Sequence, residues 1–444
     1  MRRPQAASAV LGIVLWAAIC GAQPATALEA GAARVSIVPP ADIGHVSLGG
    51  YSARKDAPYE GVHDEIFARA LVLRDGDTRV AIVTLDLLLI PRFMHEDVRA
   101  QAGDLALGPG ELIITGSHTH AAPQNMARHG DIFPLAFGKY NEKLYEWTVG
   151  QIVAALGQAA ASLRPARIGG AQATLDGMNR NRRGDDVVDA ELTVVKVCEA
   201  EPAAPRDSER VIAVLVNFAA HPTILGSDNL LISGDWVGAM ERALEQKLPA
   251  GAVALYCNGA LGDQSVAGGF GGGFDGVRRY GERLATEALQ LAATCQLQAD
   301  AALAMAHTEL SLPEPVLSPA FGEIAGTQQP LPPQLVGIAL AALFPGRAPL
   351  HAVRVGDDVM IITVPGEAIA QIGLELKQRA RRAGVAKPFI AGLANTYCGY
   401  ILTPEEYDEG GYEAGVSFYG RGFSPVLLDA LSGLIEQASQ SGAG

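Results

Sequence analysis

Two β-branched, apolar runs that end in histidine restrict this chain more than any other feature. Ile113-Ile114-Thr115-Gly116-Ser117-His118-Thr119-His120 and Val211-Ile212-Ala213-Val214-Leu215-Val216-Asn217-Phe218-Ala219-Ala220-His221-Pro222 both pass from apolar sequence into a small-residue turn. A strand without apolar/polar alternation is covered on both faces, so it belongs inside a layered α/β fold. Side chains just past the C-terminal end of such a strand converge on a cleft while the sheet holds their backbone rigid. His118 and His120 are two apart, which on an extended chain directs both to one side, one towards a metal and the other towards a substrate. A lone His-x-His is equally a polar surface turn. A second strand-terminal histidine, His221, makes a shared metal the better reading.

Three further strands end at residues with chemistry. Ala252 to Asn258 runs into Gly259-Ala260-Leu261-Gly262-Asp263-Gln264-Ser265, Val359 to Val364 ends at Pro365-Gly366-Glu367, and Phe389 to Tyr400 leads into a tyrosine-rich loop through Tyr407, Tyr412 and Tyr419. Five strand ends thus carry His, His, Ser, Glu and Tyr. Glu367 is alternatively a helix-initiating acid, because Ala368 onward reads as helix. Earlier, Ala68–Leu73 and Val80–Leu85 form a hairpin around Arg74-Asp75-Gly76-Asp77, and Asp86 at its end either faces a cleft or caps the next segment. Asp235 either caps the helix at about 236–247 or orients a metal-bound imidazole. Helices are also expected at about 141–162 and 277–293, a strand at 303–312, and a proline-rich surface excursion with one short apolar helix between Pro313 and Pro349. The run Met178-Asn179-Arg180-Asn181-Arg182-Arg183-Gly184 concentrates three arginines, suited either to an oxygen-rich ligand or to a solvated turn. The glycine-rich stretch Ala267–Gly273 lacks the Lys-Ser/Thr of a phosphate loop and is free to flex over a cleft.

The N-terminus sets the compartment. Met1-Arg2-Arg3, an apolar run from about Ala9 to Cys20 and Ala25-Thr26-Ala27 read as a signal peptide cleaved before Leu28, which predicts a secreted or periplasmic protein. Without its first 27 residues the chain has 32 basic and 48 acidic residues, a formal charge of −16, which disfavours nucleic acid as a partner. Cys198, Cys257, Cys295 and Cys398 remain, with three complete disulfide pairings open and no metal-ligand spacing; each is equally a buried free thiol.

Taken together, Gly116 to Pro123, Asn217 to His221, Gly262-Asp263-Gln264-Ser265, Val364-Pro365-Gly366-Glu367 and Asn395 to Tyr412 resemble the motifs of the neutral/alkaline non-lysosomal ceramidases, in the family's order and over most of the mature chain. The resemblance implies an α/β fold of mixed multi-stranded sheets flanked by helices, with the active site at strand C-terminal ends. It implies one catalytic domain over 28–444, without the C-terminal immunoglobulin-like domain of family members. It further implies one zinc ion per chain, hydrolysis of the amide of N-acylsphingosine or a related N-acyl lipid, and transient contact with a membrane surface; no obligate protein partner is evident. His118, His221, Glu367 and Tyr400 are the implied zinc ligands. His120, Arg182 and Tyr412 are the implied catalytic or substrate-orienting groups, and Ser265 matches the serine of the Gly-Asp-x-Ser motif. Asn179-Arg180 and Asn181-Arg182 both fit the family's Asn-Arg position, and Tyr407 and Tyr419 repeat the spacing of Tyr400 and Tyr412. Two imidazoles, a carboxylate and a phenol would leave zinc room for a water acidic enough to attack an amide near neutral pH. Two rivals stand beside this: a metal-free amidase with Ser265 as nucleophile and His120 as its base, and a non-catalytic lipid- or glycan-binding relative.

Overall fold

The computed structural model describes residues 27–128, 138–200, 209–322 and 333–440. The predicted signal peptide and the turn at Gly130-Asp131 lie outside the described residues. Two sheets stack between two layers of helix. The larger has eight strands in the order Val253–Asn258, Val211–Phe218, Glu191–Glu199, Arg164–Thr174, Glu29–Ser36, Phe67–Asp75, Thr78–Leu85, Leu112–Gly116. Its outermost pair at each edge is parallel and the rest antiparallel, as expected of a mixed sheet. The smaller sheet has the order Leu303–Ser311, Arg347–Val355, Val359–Thr363, Lys387–Ala391, with the last two parallel. Arg347–Val355 is a central strand, so the expected surface excursion ends at Gly346 rather than Pro349.

The apolar runs explain the layering. Leu71, Leu73, Ile82, Ile113, Leu215 and Leu255 of the large sheet pack against Val353, Val359, Ile361 and Phe389 of the small one. The opposite face of the large sheet carries Val72, Val83, Leu112 and Ile114 against helix Glu142–Ala161, and Val214, Val216 and Tyr256 against helices Asp235–Lys247 and Gly273–Ala292. Strands Phe67–Asp75, Thr78–Leu85 and Val211–Phe218 are therefore covered on both sides along most of their length. Helix 142–161 starts where Asn141 accepts from the Leu144 amide at 3.1 Å, a cap worth about 1 kcal/mol. Its Leu144, Ile152 and Leu156 are fully buried. The hairpin turn holds Gly76 at φ +55°, a left-handed conformation that glycine adopts without strain. Helices Ala370–Arg382 and Phe423–Gln440 cover the outer face of the small sheet through Ile372, Leu376, Leu427 and Leu431. Among the described residues no helix is long and apolar enough to cross a membrane. All four described cysteines are free thiols, and Cys198, Cys257 and Cys398 are buried.

The two sheets are tied together at their strand C-termini. The Asn217 amide donates to Cys257 O and Ile390 O, Asn258 donates to Ser117 O, and Asn395 accepts from the Ile114 amide while its own N–H donates to Ile114 O. These buried amides fix the loops of both sheets against one another, and the strand-end His, Ser, Glu and Tyr residues all lie at this edge.

Candidate active site

His118 stands two residues past strand 112–116 with φ +70°. The left-handed backbone costs a non-glycine residue on the order of 1–2 kcal/mol, strain of the kind found at functional sites. It also means that the segment is not extended, so the simple two-apart argument for His118 and His120 does not hold. The rings nevertheless meet edge to face, with centroids 4.9 Å apart. His221 joins them, 4.9 Å from the His118 ring.

Glu367 and Tyr400 reach the same point by a short parallel pairing, Glu367–Ala368 beside Tyr400–Ile401, which sets the two residues directly opposite each other. Glu367 is therefore not a helix start; the helix begins at Ala370. Glu367 Oε2 lies 3.1 Å from His221 Nε2 and 3.2 Å from His118 Nε2, and the Tyr400 hydroxyl lies 3.4 Å from His221 Nε2. Both rings have their other nitrogen on a backbone carbonyl: His118 Nδ1 on Leu88 O at 2.7 Å and His221 Nδ1 on Gln264 O at 2.9 Å. A carbonyl only accepts, so each Nδ1 carries the proton and each neutral ring turns the Nε2 lone pair towards the carboxylate. Three lone-pair atoms so close together repel unless a cation lies among them. A single proton could bridge one Nε2 to Oε2 and would leave the other facing it unscreened. The donor set therefore fits a metal ion, and His118, His221 and Glu367 are the one group among the described residues arranged to hold one. The carbonyls of Leu88 and Gln264 do the orienting that a carboxylate would otherwise do.

The electrostatics agree. Burial, reinforced by the Arg182 charge, pulls His221 down to about 4, keeping it neutral. Burial alone would push Glu367 up, and positive charge at the His118 and His221 nitrogens beside it outweighs burial and holds the carboxyl well below its ordinary range; with both rings neutral, that charge is a cation's to supply. Both ring nitrogens of His120 are shielded from solvent, and desolvation followed by the two neighbouring imidazoles lowers it well below its ordinary value. Neither of its ring nitrogens has a hydrogen-bond partner, so no hydrogen bond joins it to Ser265. The metal-free serine reading thus lacks its base. Ser265 sits on Gln264–Val266, opposite Arg180, with its backbone bridged to His221.

Arg182, and not Arg180, turns inward. Its Nη2 donates to Tyr400 Oη at 2.9 Å and Gly262 O at 2.8 Å, and its Nε donates to Glu413 at 2.7 Å. Arg180 is exposed. The Arg182 guanidinium carbon lies 5.6 Å from the Tyr400 ring centroid and 5.8 Å from that of Tyr412. Tyr412 meets Tyr400 edge to face and remains 53% exposed, at the mouth of the site. Tyr407 packs against the outer core and Tyr419 donates to Pro345 O, so neither of these tyrosines replaces Tyr400 or Tyr412. Outside the ring of ligands a cavity of about 620 Å³ is walled by Arg182, Arg183, Tyr412, Glu409 and Glu413.

Other candidates serve the frame. Asp235 accepts the amides of Leu225 and Trp236 and reaches no imidazole; burial pushes it up to about 6. Asp86 accepts from the Phe67 amide and from Arg69. Asp263 accepts from Asn181 and the Ala370 amide, joining the arginine segment to the loop after Glu367. Two contributors escaped the sequence reading. Tyr397 donates to Glu367 Oε1 at 2.7 Å. Arg54 donates to Gly49 O, His120 O and Gly226 O, fixing the His120 loop. Tyr397 lies just ahead of the tyrosine-rich loop that the sequence marks; nothing in the sequence marks Arg54.

Comparison with known proteins gives the family and the fold. Residues 31–271 and 335–428 match the model of the neutral/alkaline non-lysosomal ceramidase N-terminal region. A neutral ceramidase of Mycobacterium tuberculosis is 25% identical over 89% of this chain and 74% of its own length, and one of Pseudomonas aeruginosa is 24% identical over 84% and 67%. The crystal structure of neutral ceramidase from Pseudomonas aeruginosa superposes with a TM-score of 0.79 at 21% identity, covering 94% of this chain and 75% of that one. The fold is therefore shared, and with the family model matched over most of its length the chain belongs to the neutral/alkaline non-lysosomal ceramidases.

Proposed function

We propose that this chain is an exported zinc-dependent amidohydrolase that cleaves the N-acyl bond of ceramide or a related N-acyl lipid. The observation that carries the reading is the convergence of two Nε2 lone pairs and one carboxylate oxygen beside Tyr400, each imidazole locked as the Nδ1–H tautomer. His118, His221, Glu367 and Tyr400 would hold the ion. Zinc, when bound, supplies Lewis acidity that lowers the pKa of water and polarises the acyl carbonyl. His120, neutral and with both ring nitrogens unpartnered, would take the proton of the attacking water. Arg182 and the Tyr412 ring adjoin Tyr400, and the guanidinium and phenol would donate to the oxygen on which negative charge develops. His120 would then pass its proton to the departing amine nitrogen, since an unprotonated amide nitrogen leaves poorly. Ser265 has no proton-transfer role in this scheme; its segment supplies the Gln264 carbonyl that orients His221. The ceramidase names of the relatives support the substrate class. The Arg2-Arg3 start and the apolar run after it support export, and residues 28–444 are read as one catalytic domain.

The charged wall of Arg182, Arg183, Glu409 and Glu413 favours a second reading, in which the amine half of the substrate is polar and the acyl chain short. The test is metal analysis of the purified mature protein with hydrolysis of short- and long-chain fluorescent N-acylsphingosines, before and after chelation, alongside His118→Ala. One zinc per chain with chelator-sensitive release of fatty acid, lost in the variant, is expected. Stoichiometric zinc without turnover of either lipid would shift the substrate to another small amide or ester. Chelator-resistant turnover would refute the metal chemistry, and metal-free, inactive protein would favour a non-catalytic binding relative.

A further inference from the structure

Glu367 uses its two oxygens differently. Oε2 faces both imidazoles, at 3.1 and 3.2 Å, whereas Oε1 accepts from the Tyr397 hydroxyl at 2.7 Å. The partition is imposed by backbone. Segment 393–400 is zipped to segment 364–367 through Ala394 N to Val364 O, Leu393 N to Gly366 O, Cys398 N to Pro365 O and Glu367 N to Gly399 O, at 2.8–3.2 Å. Leu393 and Asn395 take left-handed φ values of +53° and +66° to make these turns. The same few residues that place Tyr400 opposite Glu367 thus place Tyr397, three residues earlier, on the carboxylate's far side.

We propose that Tyr397 is a positioning residue that makes Glu367 a one-oxygen ligand and thereby keeps a coordination position open for water. This rests on the metal reading of the His118, His221 and Glu367 group. A phenol is protonated at neutral pH and can only donate to a carboxylate. The hydrogen bond is charge-assisted and occupies the oxygen that would otherwise turn towards the ion and fill a second position. It also fixes the rotation of the carboxylate, so that Oε2 is presented between the two Nε2 atoms without reorganisation. Tyr400 accepts from Arg182 and stands on the His221 side of the carboxylate, so the Oε1 contact falls to Tyr397.

The test is Tyr397→Phe, which keeps the ring and removes the hydroxyl. Zinc affinity is measured by competition with a chromophoric chelator, and the visible absorption of the cobalt(II)-substituted protein reports coordination number. The melting midpoints of the metal-free proteins are compared in parallel. The expected result is zinc bound 10–100-fold more weakly, the range typical of lost outer hydrogen bonds to a ligand. The cobalt spectrum should shift towards a higher coordination number, while the metal-free midpoints stay alike. Equal zinc affinity and an unchanged cobalt spectrum would overturn the proposal, as would a variant whose only change is a lower metal-free midpoint, which would assign a purely structural role. Wild-type protein that takes up neither metal would overturn the proposal together with the metal reading; zinc held equally by both proteins would overturn this proposal alone.

Discussion

Gly262→Ala tests the site through its frame without touching a ligand. Gly262 lies under the Glu367 segment: its amide donates to Ala368 O at 2.8 Å and its carbonyl accepts from Arg182. A Cβ there would stand 2.5 Å from the Glu367 carbonyl oxygen and 2.9 Å from that of Ala368. Both obstacles are backbone, so no side chain can swing aside. Ordinary contact begins at 3.4 Å, so one segment must retreat by roughly 1 Å, a misplacement that costs on the order of 10²-fold in rate when reacting groups are displaced. Metal–ligand distances tolerate only about 0.2 Å, so metal affinity should fall as well. Overpacking adds about 1–3 kcal/mol of destabilisation. Gly150, exposed on helix 142–161 with nothing near its Cβ position, is the control; Gly150→Ala should be neutral or stabilising by up to about 1 kcal/mol. The assay combines kcat/KM on a fluorescent N-acylsphingosine, bound metal per chain and the urea midpoint. Wild-type turnover and metal content in Gly262→Ala would refute the claim that this contact sets the position of Glu367.

Three further outcomes are expected. Arg69 is buried between Asp86 at 2.7 Å and Glu241 at 2.9 Å, so Arg69→Met strands two buried carboxylates and should cost about 3–5 kcal/mol by denaturant titration; a loss under about 1 kcal/mol would show that the carboxylates find other partners. Glu413 bridges Arg182 and Arg183, and Glu413→Gln should lower kcat about tenfold or more with zinc retained; unchanged kcat would show that Arg182 needs no such anchor. Glu191, in contact with Lys377 and Arg381, is driven up by burial but further down by those two cations, so its folded pKa lies below the ordinary 4.5. A lowered carboxyl stabilises above the unfolded pKa and loses that contribution as pH falls through the folded value. The melting difference between wild type and Glu191→Gln should therefore be full at pH 7 and shrink below about pH 4.5; a difference that is constant with pH would contradict the assignment.

The sequence by itself determined the layered α/β architecture and the edge on which the site lies. Runs such as Val211–Phe218 and Val359–Thr363 have no polar face, so they must be sandwiched, and the residues just past a buried strand must emerge at the rim. That logic needs only local pattern, which is why His118, His221, Glu367 and the tyrosine loop could be picked out from one chain. Tertiary structure decided what each does, because those choices depend on which segments meet. Arg180 and Arg182 read alike until the strand ladder with Gln264–Val266 leaves the first outside and brings the second to Tyr400. Asp235 and Asp86 look like functional acids until nearby amides and Arg69 claim them. Tyr397 and Tyr400 differ only by three positions, yet the zipping of two loops sends one to each side of the Glu367 carboxylate. The stacking of two sheets had no local signature either: a strand apolar on both faces specifies that it is covered, and whether helix or a second sheet does the covering is settled by which surfaces fit.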